Sequence, residues 1–197
     1  RIAFPMSETL RDRMTRYEEV TDSTLMRRMY TVIRVDGRAF STYTRRFARP
    51  VDTKFMSAMD EVALRLCAGI SGAKIAYVQS DEVSVIVTDF DTQDTQPWFG
   101  GRVQKMCSVA ASMATVAFNS KVREEDRIAE FDARVFQVPS LTEVGNYLVF
   151  RQGDARRNST SSIAQARFSH AALHGKNGDQ MAEMLRELRS EEHTSEL

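Results

Sequence analysis

Four short strand-like runs interleaved with two amphipathic helices constrain this chain more than any other feature. Tyr30 to Val35 is rich in β-branched residues and ends at Asp36-Gly37, a chain-turning dipeptide. After a polar loop, Asp52 stands where a helix N-cap belongs, ahead of Phe55, Met59, Val62, Ala63 and Leu66 on one stripe. Ala73 to Gln79 and Val83 to Thr88 are two strands separated only by Ser80-Asp81-Glu82, which makes them a hairpin. A second helix is expected from about Trp98 to Asn119, burying Met106, Val109, Ala110, Met113 and Ala117. Phe131 to Gln137 then alternates as a fourth strand.

The order β-α-β-β-α-β is the ferredoxin-like, split-βαβ arrangement, so the fold class is α+β, a helix layer on a sheet. A helix from Ser7 to about Arg28 precedes it, with Ser7 as N-cap and Leu10, Met14 and Tyr17 at helical spacing. Ser140-Leu-Thr-Glu143 has the form of a capping box and opens a helical extension over residues 139–188, with breaks expected near Gly153 and Gly175. The last nine residues, Arg189 to Leu197, resemble a translated sequencing adapter, and 189–197 is read as a non-native tail.

This topology has a chemical consequence. The first and third strands are antiparallel neighbours at the sheet centre, so the end of one lies beside the start of the other. Asp36 closes the first and Asp81 immediately precedes the third, with Glu82 next to it. Asp-Gly and Ser-Asp-Glu are each common strand-end turns, and alone each is read as a turn. Two acids converging on one sheet edge are different, because like charges repel. A hard divalent cation resolves the conflict: Mg²⁺ takes oxygen ligands and is held by one or two carboxylates plus substrate phosphates. Asp36 and Asp81 are therefore the candidate catalytic pair. The Gly37 carbonyl is a third candidate oxygen, and Glu82 assists or completes the set.

Composition excludes more than it suggests. Hydrophobic residues make up 42 % and charged residues 27 % of 197, ordinary for a globular domain. No apolar run reaches the ~20 residues that span a bilayer, and no secretory signal is visible, so a cytoplasmic location is expected. Cys67 and Cys107 lie in helical patterns and read as unpaired core residues. The formal net charge is zero. Cations are nonetheless clustered: Arg38, Arg45, Arg46 and Arg49 follow Asp36, and Arg102 and Lys105 share a helix face with Ser108 and Ser112. Such a stripe suits phosphate oxygens or an ordinary solvated helix face equally well. Arg151, Arg156 and Arg157, with Asn158, form a third group suited to an RNA backbone. His170 and His174 are four apart but lack further ligands nearby in sequence, and read as a surface pair. Neither a P-loop nor a G-x-G-x-x-G fingerprint is present.

The segments Arg34-Val-Asp-Gly-Arg-Ala-Phe40, Arg49-Pro-Val-Asp52, Tyr77-Val-Gln-Ser-Asp-Glu82 and Arg102-Val-Gln-Lys105 resemble the tRNA-His guanylyltransferase superfamily in order and spacing. Phe131-Asp-Ala-Arg-Val-Phe136 and Arg151-Gln-Gly-Asp-Ala-Arg-Arg-Asn158 extend the likeness over nearly all the chain before the tail. The resemblance implies a palm-type catalytic domain over residues 1–138, adding nucleotides in the 3′-to-5′ direction to a tRNA 5′ end. It also implies two Mg²⁺ ions on Asp36, the Gly37 carbonyl and Asp81. A nucleotide would be cradled by Asp36, Gly37, Arg38, Ala39, Phe40, Ser41, Ser80 and Asp81, with phosphates on Arg49, Arg102 and Lys105. ATP, GTP and other nucleoside triphosphates are the implied substrates, and a dimer of dimers the implied assembly. Where eukaryotic members carry His-Ile-Asn-Asn this chain has Arg156-Arg-Asn-Ser159, which is similar to the bacterial and archaeal branch. That branch implies template-dependent repair of tRNA 5′ ends. The alternatives are untemplated addition of G to tRNA-His, a palm-fold GTP cyclase, and a non-catalytic RNA-binding module.

Overall fold

The computed structural model describes residues 8–48, 50–122 and 127–195. Four antiparallel strands form one sheet: β1 (Tyr30–Gly37), β2 (Ala73–Gln79), β3 (Glu82–Val87) and β4 (Phe131–Val138), in the order β2-β3-β1-β4. Helices α3 (Thr53–Gly69) and α4 (Val103–Val122) fill the two crossovers and pack together on one face. The short α2 (Phe40–Tyr43) turns the chain away from β1. Helix α5 (Leu141–Arg167) covers the other face, followed by α6 (His170–Leu173) and α7 (Gly178–Ser195), while α1 (Leu10–Glu19) precedes the sheet. This is the expected α+β, ferredoxin-like layering.

The helix-covered face carries the main core. Ile33 and Val35 of β1, with Val83, Val85 and Val87 of β3, meet Met59, Val62 and Leu66 of α3 and Met106, Ala110 and Phe118 of α4. Asp52 caps α3 as expected, its carboxylate accepting from the Phe55 amide at 2.9 Å. Alternation fixes what remains: residues pointing the other way, among them Val32 and Ile86, meet Val144, Tyr147 and Leu148 of α5.

Three expectations are corrected. The first helix ends at Glu19, not near Arg28, and the described cap is Thr9; Ser7 lies outside the described residues. Beyond it, Ser23 to Leu25 run extended, with Ser23 and Leu25 bonded to the main chain at Val103 and Gly101 and Thr24 bridged to Arg102, a pairing no helix permits. The second long helix begins at Val103, after a separate 3₁₀ turn over Trp98–Gly101. There is no break at Gly153: α5 runs unbroken through it, since one glycine costs a helix only about 1 kcal/mol and the Asp154 carboxylate receives Arg151 and Arg157 across that turn. The break at Gly175, by contrast, is present, with φ at +74°.

Candidate active site

The site grows out of the strand register. Asp36 is the penultimate residue of β1 and stands directly across from Glu82 on β3 and from Asp132 on β4. Residues paired across an antiparallel ladder share a face, so these three side chains form a row, with Gln79 of β2 as its fourth member. Asp81 sits in the β2–β3 turn, and its carbonyl accepts a hydrogen bond from the Gly37 amide at 3.1 Å. The end of β1 is thereby tied to the turn that presents Asp81, as the topology predicts.

Burial, then the charges of Asp81 and Glu82, hold the Asp36 carboxyl above the ordinary carboxylate range. Arg34 opposes that rise, its Nη2 lying 4.0 Å from Asp36 Oδ2, and Asp132 adds to it. Asp81 is raised as well, chiefly by burial. Burial is the first cause for both groups, and the Asp81 charge adds to the rise of Asp36; a bound cation would favour the charged form of each. Glu82 differs. It is 4 % exposed, and its carboxylate is gripped by Arg151 of α5.

Beneath the edge the chain is shaped by Gly37. A Cβ there would stand 2.3 Å from the Phe40 ring, so only glycine lets that ring pass under the turn. Phe40 is buried and stacks on Tyr43 at 5.0 Å, with Phe118 and Phe131 close by. Ala39 at φ 55° and Ser80 at φ 49° complete two tight turns on either side of the acids. Two pockets flank them. One, of about 450 Å³, includes Arg38, Ala39, Tyr43 and Glu130; the other, of about 390 Å³, includes Asp52, Tyr77, Ser80 and Asn158.

The expected residues thus divide. Asp36, Gly37, Arg38, Ala39, Ser41, Ser80 and Asp81 gather at this edge, Phe40 serving as its buried floor and Arg38 pairing with Glu130. Arg49 lies outside the described residues. Arg102 and Lys105 do not join them within one protomer. They open α4 beside Thr24 and Phe99, whereas the far end of that helix, at Thr115 and Asn119, bonds to Phe131 and Ala129 next to the edge. Asn119 stands seventeen positions beyond Arg102 along α4, roughly 25 Å away. Arg151, expected to face RNA, instead turns inward, its side chain 12 % exposed. Arg156 and Asn158 are exposed, and Arg157 is exposed but paired with Asp154. Asp132 and Arg34 were not singled out from the sequence, although both lie in quoted segments; the β1–β4 register is the signal that reveals Asp132.

Among the described residues there is no cluster of three or more His, Cys, Asp or Glu arranged to hold a metal. That leaves oxygen donors in small number, two carboxylates and a backbone carbonyl, a set that fits Mg²⁺, which keeps several waters, and not Zn²⁺. His170 and His174, at the two ends of α6, have ring centroids 6.3 Å apart. Cys67 and Cys107 are free.

The fold is thus a ferredoxin-like sheet with Asp36 and Asp81 meeting at one edge. Comparison with known proteins is specific: the family model for tRNAHis guanylyltransferase matches residues 11–139. The chain belongs to that family, whose named members are nucleotidyltransferases. It is similar in structure to a bacterial tRNA(His) guanylyltransferase (Thg1)-like protein in complex with ATP, with a TM-score of 0.86, 43 % identity, and coverage of 90 % of this chain and 78 % of that one. The tRNA(His) guanylyltransferase of Saccharomyces cerevisiae shares the fold at a TM-score of 0.68 and 22 % identity, covering 86 % and 81 %. In sequence, a protein of Acanthamoeba polyphaga mimivirus is 30 % identical over 92 % of this chain and 71 % of its own length. The probable tRNA(His) guanylyltransferase of Dictyostelium discoideum is 29 % identical over 68 % of this chain. The chain spans 54 % of that relative's length.

Proposed function

We propose that this protein is a Mg²⁺-dependent nucleotidyltransferase that adds nucleotides in the 3′-to-5′ direction to the 5′ end of tRNA, repairing truncated ends against a template. The observation that carries the reading is the convergence of Asp36 and Asp81 on one sheet edge, both carboxyls held above the ordinary range, first by burial. Asp36, the Gly37 carbonyl and Asp81 would hold two ions, which would supply charge stabilisation at the triphosphate and at the attacking oxygen. The turn from Asp36 to Ser41, with Ser80, receives the nucleotide. Arg156, Arg157 and Asn158 on α5 meet the RNA. Arg102 and Lys105, a helix length away in one protomer, reach phosphate at this edge only from a neighbouring protomer. A dimer of dimers in the cytoplasm accords with that, and with the exposed Leu10, Met14 and Tyr17 of α1, a helix that buries no residue in its own chain.

Template-dependent repair is favoured over untemplated G addition by the Arg156-Arg-Asn-Ser159 sequence and by the greater identity to the bacterial Thg1-like protein. Solved relatives of that kind carry ATP in one structure and GTP in another. The test is incubation of 5′-truncated tRNAs with each labelled nucleoside triphosphate, with Mg²⁺ or with EDTA. Incorporation of the nucleotide complementary to the opposing base, lost in EDTA, is expected. Addition of G whatever the opposing base would replace repair with guanylylation. A cyclic product from GTP without RNA would make the protein a cyclase.

A further inference from the structure

Glu82 is the acid in the row of Asp36, Glu82 and Asp132 with the shortest ion pair. Arg151 donates from Nε to Glu82 Oε1 at 2.8 Å and from Nη2 to Oε2 at 2.5 Å, a two-pronged pair in which the carboxylate is 6 % exposed. Gln79 and Ser84 donate to the first oxygen at 3.3 and 3.4 Å, and Arg34 Nε stands 3.5 Å from the second. Yet Glu82 follows Asp81 directly and is the cross-strand partner of Asp36. From that position its carboxylate would reach a cation held by Asp36 and Asp81 if nothing restrained it. The shortest contacts that restrain it come from α5. The third nitrogen of Arg151 donates to Asp154 at 2.6 Å, and the other Asp154 oxygen accepts from Arg157.

Resting on the two-carboxylate cation site above, we propose that Arg151 is a positioning residue: it holds Glu82 out of the cation's coordination sphere and pins α5 against the edge. Two carboxylates leave coordination positions for triphosphate oxygens and leave the ion enough positive charge to polarise them. A third would bind the ion more tightly and serve the substrate less well. The same grip fixes the turn of α5 that presents Arg156 and Asn158.

Mn²⁺ binding to the protein, followed by electron paramagnetic resonance without nucleotide or RNA, tests this beside nucleotide addition. Arg151→Met removes the two shortest contacts on Glu82, so Mn²⁺ affinity rises while addition falls at least about tenfold. Glu82→Gln combined with Arg151→Met returns Mn²⁺ affinity to the wild-type value. Arg151→Lys, which keeps the charge but not the fork, gives a smaller rise; if Arg151→Met does not fold, this variant and the double variant carry the comparison. Equal Mn²⁺ affinity in wild type and the folded Arg151 variants overturns the proposal, as does tight binding that persists in the double variant. Asp36→Asn distinguishes the two levels of the argument. Unchanged Mn²⁺ binding there contradicts the cation site itself, whatever Arg151 does.

Discussion

The two faces of the sheet are built by opposite rules. Toward α3 and α4 the inward positions of β1 and β3 are apolar but for Thr31 at one end: Ile33, Val35, Val83, Val85 and Val87 are buried against helix side chains and aromatic rings. Toward α5 the same strands change character along their length. Val32 and Ile86 meet Val144 at one end, Arg34 and Ser84 follow, and Asp36 and Glu82 close the other. A face that is apolar along nearly its whole length specifies a fold, because removing its area from water is the main driving force of folding. A face that turns ionic at one end forgoes part of that gain and acquires chemistry in exchange. Changes on the first face should therefore be read out in stability, and changes at the ionic end of the second in activity.

The largest expected effect separates them most sharply. Asp36→Ala or Asp81→Ala should lower nucleotide addition by a thousandfold or more, about 4 kcal/mol of transition-state stabilisation, while thermal unfolding and tRNA binding stay close to wild type. Loss of activity accompanied by unfolding would erase the distinction. Next, Phe118→Ala on the apolar face removes a fully buried ring that touches Phe40, Tyr43 and Phe131. It should cost roughly 3–5 kcal/mol in denaturant unfolding, and any residual activity should keep its dependence on Mg²⁺.

The smallest effect lies outside both faces, at the Asp52 cap of α3. Its carboxyl is held below the ordinary range by the backbone amides of Phe55 and Ala48. A carboxylate lowered on folding contributes stability above its unfolded pKa and loses it as pH falls through the folded one. Asp52→Ala should thus lower the melting temperature slightly at neutral pH, and the gap should close as the solution is acidified past that lowered value. A gap that widened in acid would reverse the assigned sign.

Much of this comparison was legible in the sequence, and the parts that were not have a common cause. Strand and helix order, the Ser80-Asp81-Glu82 hairpin and the meeting of Asp36 with Asp81 follow from local pattern plus topology. Asp132 was not singled out, because its place beside Asp36 depends on the register between strands nearly a hundred residues apart in sequence. The inward turn of Arg151 was missed for a related reason: an arginine among polar residues looks solvated until a buried Glu82, sixty-nine positions earlier, is seen to receive it. The stripe of Arg102 and Lys105 lies on the exposed side of its helix, and its position at the opposite end of α4 from Asp36 was not legible. Helical periodicity gives a face and not a distance. The early end of α1 reflects pairing of Ser23 to Leu25 with a loop that local propensity does not anticipate.

The central claim is that Asp36 and Asp81 together hold the cations that act on a nucleotide. Diffraction from crystals grown with Mn²⁺ and a non-hydrolysable nucleoside triphosphate, collected at the manganese absorption edge, addresses it most directly. The account predicts anomalous peaks between the two carboxylates, within metal–oxygen bonding distance of both and of the triphosphate, with Glu82 still on Arg151. A triphosphate bound elsewhere, or manganese coordinated by other residues while this edge stays empty, would contradict it.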